Sequence, residues 1–595
     1  MPPSAPGGKR PLLWSALTVA LLVTGTMVLH PRMTTWARDW LSHVGLLTPT
    51  EPAVAETPAP TPAPVSFTLR QLPNHPERLY IAPRAAERSP ATARLAPQFQ
   101  ALLDTYTLRQ GVDDNFTIRV MDNRTGTLLE LFTLTAERAA YEATGEADWQ
   151  AIDARRREET RRLVDKYEAL GIPQKHITAK WGRRNQVLEA RAREASILEY
   201  ELRLAASLGL SLLATEIGTV ETFNDDRLVS SAGARSRYQM MPYVLRQQGI
   251  HHYRLETVQG RSITVREEWH PLLTMEAAFV VLRGYVNAVG HELPGLSAYH
   301  TGPNNIYKLY RLFLTEGEGL FSPEATVLDA YLWGVTEGFE TVSERTTFRT
   351  HSRGYVPAAF GALRATEHLP VDTSQTVFME RVQLRRGQSL PLHALLDALS
   401  AADPALAADP GPYQRFRALN PHMDLPDAPD SLGLPPEGDV VLRDRVQDLP
   451  VRFFLPLGST QRLVEAGYDL LDPEQTFAFT RSTYAPPPDS LITPWDRAYD
   501  ELVASISRFG FTEENRATLN RLENVFTELA ERNPSPYRRR QLAIIRTHQQ
   551  LWQTRFWEQL ARATEAAMGN ARIPIQPPVP IEVDTDAPTN RDAAD

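Results

Sequence analysis

Glu221 stands where an apolar stretch, LAASLGLSLLATEIGTV, gives way to a polar turn. Asn224, Asp225, Asp226, Ser230 and Ser231 follow, and then Gln239 beside Met240, Met241 and Pro242. A carboxylate at the end of an apolar helix is easily desolvated, and desolvation lifts its pKa toward the range of a general acid. Glu216, earlier on the same run, competes for that role. Asp225 and Asp226 could supply the second carboxylate of a hydrolase, although their place beside Asn224 favours an Asx-type turn or cap. His251 and His252 are adjacent but lack further ligands at metal spacing. The chain has no cysteine, which excludes disulfides, thiolate metal sites and Cys nucleophiles. There is no phosphate-binding loop, Gly-x-Ser-x-Gly element or redox motif, so neither a metal nor an organic cofactor is implied.

Taken without gaps from Glu221, the segment offers Glu221-Thr222, Ser230-Ser231-Ala232-Gly233-Ala234, Ser236-Arg237-Tyr238-Gln239 and Met240-Met241-Pro242. A second block, Ala298-Tyr299-His300-Thr301-Gly302-Pro303, follows after the helical stretch MEAAFVVLRGYVNAVG. In order and spacing the two blocks resemble the lytic transglycosylase family of peptidoglycan-cleaving enzymes (the SLT-type domain). That family's pattern is Glu-Ser, Ser-x-x-Gly-Ala, Gly-Leu-Met-Gln and Ala-Tyr-Asn-x-Gly-Pro. Downstream, Arg353-Gly354-Tyr355-Val356-Pro357 is similar to the Tyr-Val-Pro element of the membrane-bound lytic murein transglycosylase D group. Val382, Gly387, Ser389, Leu390 and Leu419-Asn420-Pro421 are similar to the LysM-like region that follows it. Only Glu221, not Glu216, gives the gapless fit to Ser230, Gly233 and Gln239. The chain departs from the pattern at Ser236-Arg237-Tyr238, in place of Gly-Leu-Met, which is expected to put bulk beside the cleft. His300 replaces the Asn of Ala-Tyr-Asn.

The resemblance implies a mainly α protein with a lysozyme-like helical catalytic domain. It implies cleavage of the β-1,4 bond between N-acetylmuramic acid and N-acetylglucosamine, with a 1,6-anhydro product. One carboxylate suffices for this chemistry because the sugar's own N-acetyl and C6 hydroxyl groups supply the rest, whereas most glycosidases need two. Glu221 would act as acid on the leaving oxygen and then as base on the C6 hydroxyl. Ser230 and Gln239 are expected to hydrogen-bond sugar or N-acetyl groups, Tyr299 to position Glu221 or the substrate, and His300 to contact substrate. The partners implied are peptidoglycan glycan strands. The alternatives are a non-catalytic glycan-binding or scaffold protein with a degenerate cleft, and a lysozyme-like hydrolase.

The elements that carry these residues are framed by less informative sequence. Lys9 and Arg10 precede an apolar run, Leu12 to Leu29, close to the ~20 residues that cross a bilayer. Residues 1–30 are therefore expected to be a membrane anchor, with a cleaved signal as the alternative, and the bulk is expected outside the cytoplasm in the cell envelope. A juxtamembrane and Pro-rich linker spans 31–65. A mixed α/β accessory region covers 66–147, with a hairpin from Phe116 to Thr133 around DNRTG. The catalytic domain with its N-terminal helices covers 148–370, including a second hairpin around Gln259-Gly260-Arg261. A mixed, LysM-like region covers 371–490. A helical hairpin around Asn533-Pro534-Ser535-Pro536 covers 491–572, and a disordered tail covers 573–595.

Bulk composition narrows the function classes. Hydrophobic residues make 42% and charged residues 23%, as in ordinary globular protein. A net charge of -9 argues against nucleic acid as partner. Charged runs such as Arg155-Arg156-Arg157 are expected to be solvated helix faces, and Arg538-Arg539-Arg540 a helix-start patch. Cell-envelope proteins are candidate partners of the C-terminal region.

Overall fold

The computed structural model describes residues 66–72, 74–77, 79, 89–122, 127–256, 262–320, 322–372, 375–384, 389–402, 411–428, 439–441, 451–468, 494–509, 513–532 and a few positions from 538 to 549. The chain divides into Met1–Thr61 and Pro62–Asp595, and the first unit lies outside the described residues. So do the apolar run Leu12 to Leu29, the Pro-rich linker, the turn Asn123 to Gly126, Gln259 to Arg261, Gly387, Arg539 and Arg540, and residues 550–595. The described part is mainly helical.

The order begins with β1 (Ser66–Thr68), α1 (Pro90–Thr107), β2 (Thr117–Asp122), β3 (Thr127–Thr133), α2 (Thr135–Thr144), α3 (Trp149–Ala169) and β4 (Ile177–Trp181). The strands form an antiparallel sheet of order β3-β2-β4, so the sheet crosses the expected 147/148 boundary. α1 crosses it too. Its N-cap Ser89 accepts from Thr92 N at 2.9 Å and donates to buried Asp329 at 2.9 Å, which ties α1 to the helix Val327–Val335. A side-chain cap of this kind is worth about 1 kcal/mol.

The region that carries Glu221 follows as α4 (Arg184–Glu194), α5 (Leu198–Ser207), α6 (Ile217–Thr222) and α7 (Pro242–Gln247), then the antiparallel hairpin β5 (His252–Glu256) and β6 (Ser262–Arg266). α8 (Pro271–Val289), α9 (Glu292–Thr301), α10 (Pro303–Glu316), α11 (Val327–Val335), α12 (Phe339–Arg345), α13 (Thr350–Arg353) and α14 (Tyr355–Thr366) complete it. α8 is apolar on nearly every side because it runs through the core. It is the one helix among the described residues long and apolar enough to cross a membrane, and 83% of its apolar window is buried by protein. Pro271 opens it and Gly290, at φ 87°, closes it.

β7 (Pro370–Asp372) returns to pair antiparallel with β1. Beyond it, β8 (Met379–Leu384), β9 (Ser389–Pro391), α15 (Leu392–Ala402), α16 (Pro412–Leu419), β10 (Asp439–Val441), β11 (Val451–Pro456) and α17 (Ser459–Glu465) form two antiparallel pairs, β8 with β11 and β9 with β10, beside their helices. This mixed region docks on the helical core through polar ties. Tyr200 of α5 donates its hydroxyl to Val377 O at 3.1 Å and accepts from Met379 N at 3.0 Å. Arg452 of β11 pairs with Glu267 at 2.8 Å. Further on, the expected long arm of the C-terminal hairpin is two helices, α18 (Pro494–Phe509) and α19 (Glu513–Arg532), packed through Leu502, Leu519, Leu522 and Phe526. The apolar spacing within each run reports a helix face but does not show where one helix stops.

Candidate active site

The run toward Glu221 is anchored before it becomes helical. Ser211 donates to Glu292 at the start of α9, N to Oε1 and Oγ to Oε1 both at 2.9 Å, and its own Oγ accepts from Leu213 N at 3.2 Å. A 3-10 turn, Leu212–Glu216, then leads into the short α6, whose penultimate residue is Glu221. The chain leaves the helix through two non-glycine residues in the left-handed region, Phe223 at φ 54° and Asn224 at φ 63°. Such conformations cost of order 1–3 kcal/mol and persist only where surroundings hold them. Asn224 is held: its Nδ2 donates to Ala190 O at 3.0 Å and to Glu194 Oε2 at 2.5 Å. Gly218 permits this, since a Cβ there would lie 2.2 Å from Asn224 Oδ1.

The loop from Asp225 to Met240 is tied to itself. Asp225 Oδ1 accepts from Arg227 N at 2.9 Å, an Asx turn. Asp226 takes a bidentate pair from Arg237, at 2.6 and 2.9 Å. Neither aspartate is thus set as a second carboxylate facing Glu221. Glu216 is fully buried and paired with Arg191, which also holds Glu194. Burial raises the Glu216 pKa, but this residue has no exposed surface from which to meet a substrate.

Ser236-Arg237-Tyr238 does not place bulk beside the cleft. All three are buried: Ser236 is 1% exposed, Arg237 3% and Tyr238 0%. Ser236 takes φ 68°, the left-handed conformation that a glycine would adopt without strain. The Arg237 carbonyl accepts from Thr222 Oγ1 at 3.0 Å, and the Tyr238 hydroxyl donates to Glu201 at 2.5 Å. The reason for the difference is charge pairing. A buried tyrosine and arginine are tolerated because Glu201 and Asp226 meet them. Burial pushes the Glu201 carboxyl up to about 7.

Of the five residues singled out in the sequence, three come together. Glu221 keeps 17% of its side-chain surface open. Burial pushes its carboxyl up to about 7, and no charged neighbour contributes to that rise. His300, at the end of α9, brings Nδ1 to 4.0 Å from Glu221 Oε1, with 32% of its side chain open. Tyr299 lies close enough for the Glu221 charge to raise its pKa further, after burial as the larger cause. Its hydroxyl donates to Tyr238 O at 2.8 Å, so it fastens the loop rather than the carboxylate. Ser230 and Gln239 use their side chains within the loop. Ser230 Oγ accepts from Ala234 N at 3.0 Å, and Gln239 Nε2 donates to Ser236 O at 2.8 Å and Leu228 O at 3.1 Å.

One residue of the site was given no role from the sequence. Tyr355, at the start of α14 and 3% exposed, directs its hydroxyl at Glu221 and restrains the rise of that pKa. The contact falls short of regular hydrogen-bond geometry, so the hydroxyl keeps its bonding capacity. The Tyr355 ring also stacks on His300, with centroids 4.8 Å apart and planes at 17°. Its sequence signal was the Tyr-Val-Pro element. Among the described residues no group of three His, Asp or Glu side chains is gathered to hold a metal ion.

The arrangement provides one acid, its pKa raised to about 7 and its side chain partly open, beside the stacked rings of His300 and Tyr355. It can deliver a proton to an oxygen in a low-dielectric setting and take one back. No protein-family model matches the chain, and no curated protein matches it.

Proposed function

We propose that this protein is a peptidoglycan lytic transglycosylase with Glu221 as its only acid-base carboxylate. The observation that carries the proposal is the isolation of Glu221. Its pKa rises through burial alone, while Glu216, Asp225 and Asp226 are each engaged elsewhere. A glycosidase built on two carboxylates needs them about 5–10 Å apart across the bond. A lone acid suits a reaction in which the sugar supplies its own nucleophile. Glu221 protonates the bridging oxygen as the glycosidic bond breaks. The C6 hydroxyl then closes on C1, and the product carries a 1,6-anhydro ring.

A lysozyme-like catalytic domain fits this reading, with α8 through the core and the acid at the end of a short helix packed against α14. The order β8-β9-α15-α16-β10-β11, with two helices between strands that pair β8 to β11 and β9 to β10, is consistent with a LysM-like region. An envelope location with an N-terminal anchor belongs to the same proposal, as do glycan strands as partner.

The test is digestion of purified sacculi followed by mass spectrometry of the released muropeptides. Anhydro ends from the wild type, absent with Glu221→Gln, are the expected result. Reducing ends in their place would make the protein a hydrolase. Sacculus binding without any cleavage would make it a scaffold.

A further inference from the structure

His300 stands in an unusual relation to the acid. The 4.0 Å between Nδ1 and Glu221 Oε1 is too long for a direct hydrogen bond. It is the right gap for one oxygen that touches both, at about 2.8 Å from each. The stacked Tyr355 ring fixes the imidazole plane, and the open third of the side chain lets a substrate reach it. The two groups are far closer than the roughly 6.5–9.5 Å that separates the acid from a water-activating base across a sugar ring. His300 is thus badly placed to direct a water and well placed to share a sugar hydroxyl with Glu221.

We propose that His300 is a second catalytic residue, a base whose Nδ1 accepts the proton of the attacking sugar hydroxyl and returns it to Glu221. This rests on the transglycosylase reading above. The step balances within the substrate and the two side chains. Glu221 gives its proton to the bridging oxygen, which leaves with the bonding electron pair. The C6 hydroxyl oxygen bonds to C1, and its proton passes to neutral His300. Once the product leaves, the imidazolium passes the proton to the Glu221 carboxylate through one water in the 4.0 Å gap, which restores both groups. No co-reactant enters.

The protonation states agree with this order. Burial raises the Glu221 pKa to about 7, whereas burial, with His351 adding to it, lowers that of His300 below its ordinary 6.5. An acid that holds its proton beside a base that has none is the pairing acid-base catalysis requires. The titratable groups facing the imidazole are Glu221 from α6, His351 from α13 and Tyr355 from α14. Below the His300 pKa the base is charged and the imidazolium favours loss of the Glu221 proton, so the acid limb of the rate profile belongs to this pair.

The test is the pH dependence of anhydro-muropeptide release by wild type, His300→Asn and His300→Gln, with the imidazole tautomer read by nitrogen NMR. Sacculus binding and melting temperature show that the variants fold. The expected result is a 10- to 100-fold loss of kcat, about the low end for a lost acid-base group, with KM within about twofold. The acid limb should disappear and the alkaline limb stay, and the wild-type imidazole should carry its proton on Nε2. Unchanged kcat and acid limb, a change in KM alone, or a proton on Nδ1 would overturn the proposal while leaving the transglycosylase reading intact. A wild type that leaves sacculi uncut would instead remove that reading and this proposal with it.

Discussion

Replacing Glu221 with Gln should stabilise the protein in a pH-dependent way while it abolishes turnover. Burial raises the Glu221 pKa from 4.5 to about 7. At 1.36 kcal/mol per unit, the ionised carboxylate costs the folded state about 3 kcal/mol. Between those two values the folded chain holds a proton that the unfolded chain has lost. Stability therefore falls as pH rises through that window, and the full cost is reached above about pH 7. Gln keeps the shape and cannot ionise. Its advantage over the wild type should be small at pH 5, under about 1 kcal/mol, and grow by about 2–3 kcal/mol at pH 8. Paired denaturant titrations at the two pH values measure this growth directly, since constant effects of the substitution cancel. A difference that does not change with pH, or that shrinks toward pH 8, would show that Glu221 is not a desolvated acid. A positive result joined to loss of cleavage would reproduce the familiar trade between stability and activity at a catalytic group.

Three other outcomes are expected. Tyr355→Phe removes the hydroxyl that restrains the Glu221 pKa, so the alkaline limb of the rate profile should move to higher pH with the melting temperature nearly unchanged. Arg237→Met breaks a bidentate pair buried only on the arginine side and leaves Asp226, 28% exposed, to solvent, which should cost about 1–3 kcal/mol in a denaturant titration. Tyr200→Phe leaves the buried Met379 N without its acceptor, at about 1–3 kcal/mol. Hydrogen exchange at Met379 and along β8 should quicken, with the α8 core protected as before.

Local signals served some parts well. The hairpin of β2 and β3 was legible because alternating apolar residues flank a turn sequence, and β5 with β6 for the same reason. α8 was legible from its apolar length, although that alone does not separate a core helix from a membrane span. The expected boundary at 147 was not a packing boundary, because β4 completes a sheet begun by β2 and Ser89 bonds to Asp329. Pairings over such distances leave no periodic trace in the chain.

By itself the sequence marked Glu221 as an acid at the end of an apolar run, with Glu216, Asp225 and Asp226 as competitors, because hydrophobic pattern and residue type act locally. It also carried the two blocks around Glu221 and Tyr299. Only the tertiary structure decided what surrounds the acid. It buried Ser236, Arg237 and Tyr238 against Glu201 and Asp226, turned Ser230 and Gln239 inward to their own loop, and set His300 on the Tyr355 ring 4.0 Å from the carboxylate. Desolvation and charge pairing depend on atoms brought from distant parts of the chain, so the pKa and partners of Glu221 exist only once the chain has folded around it.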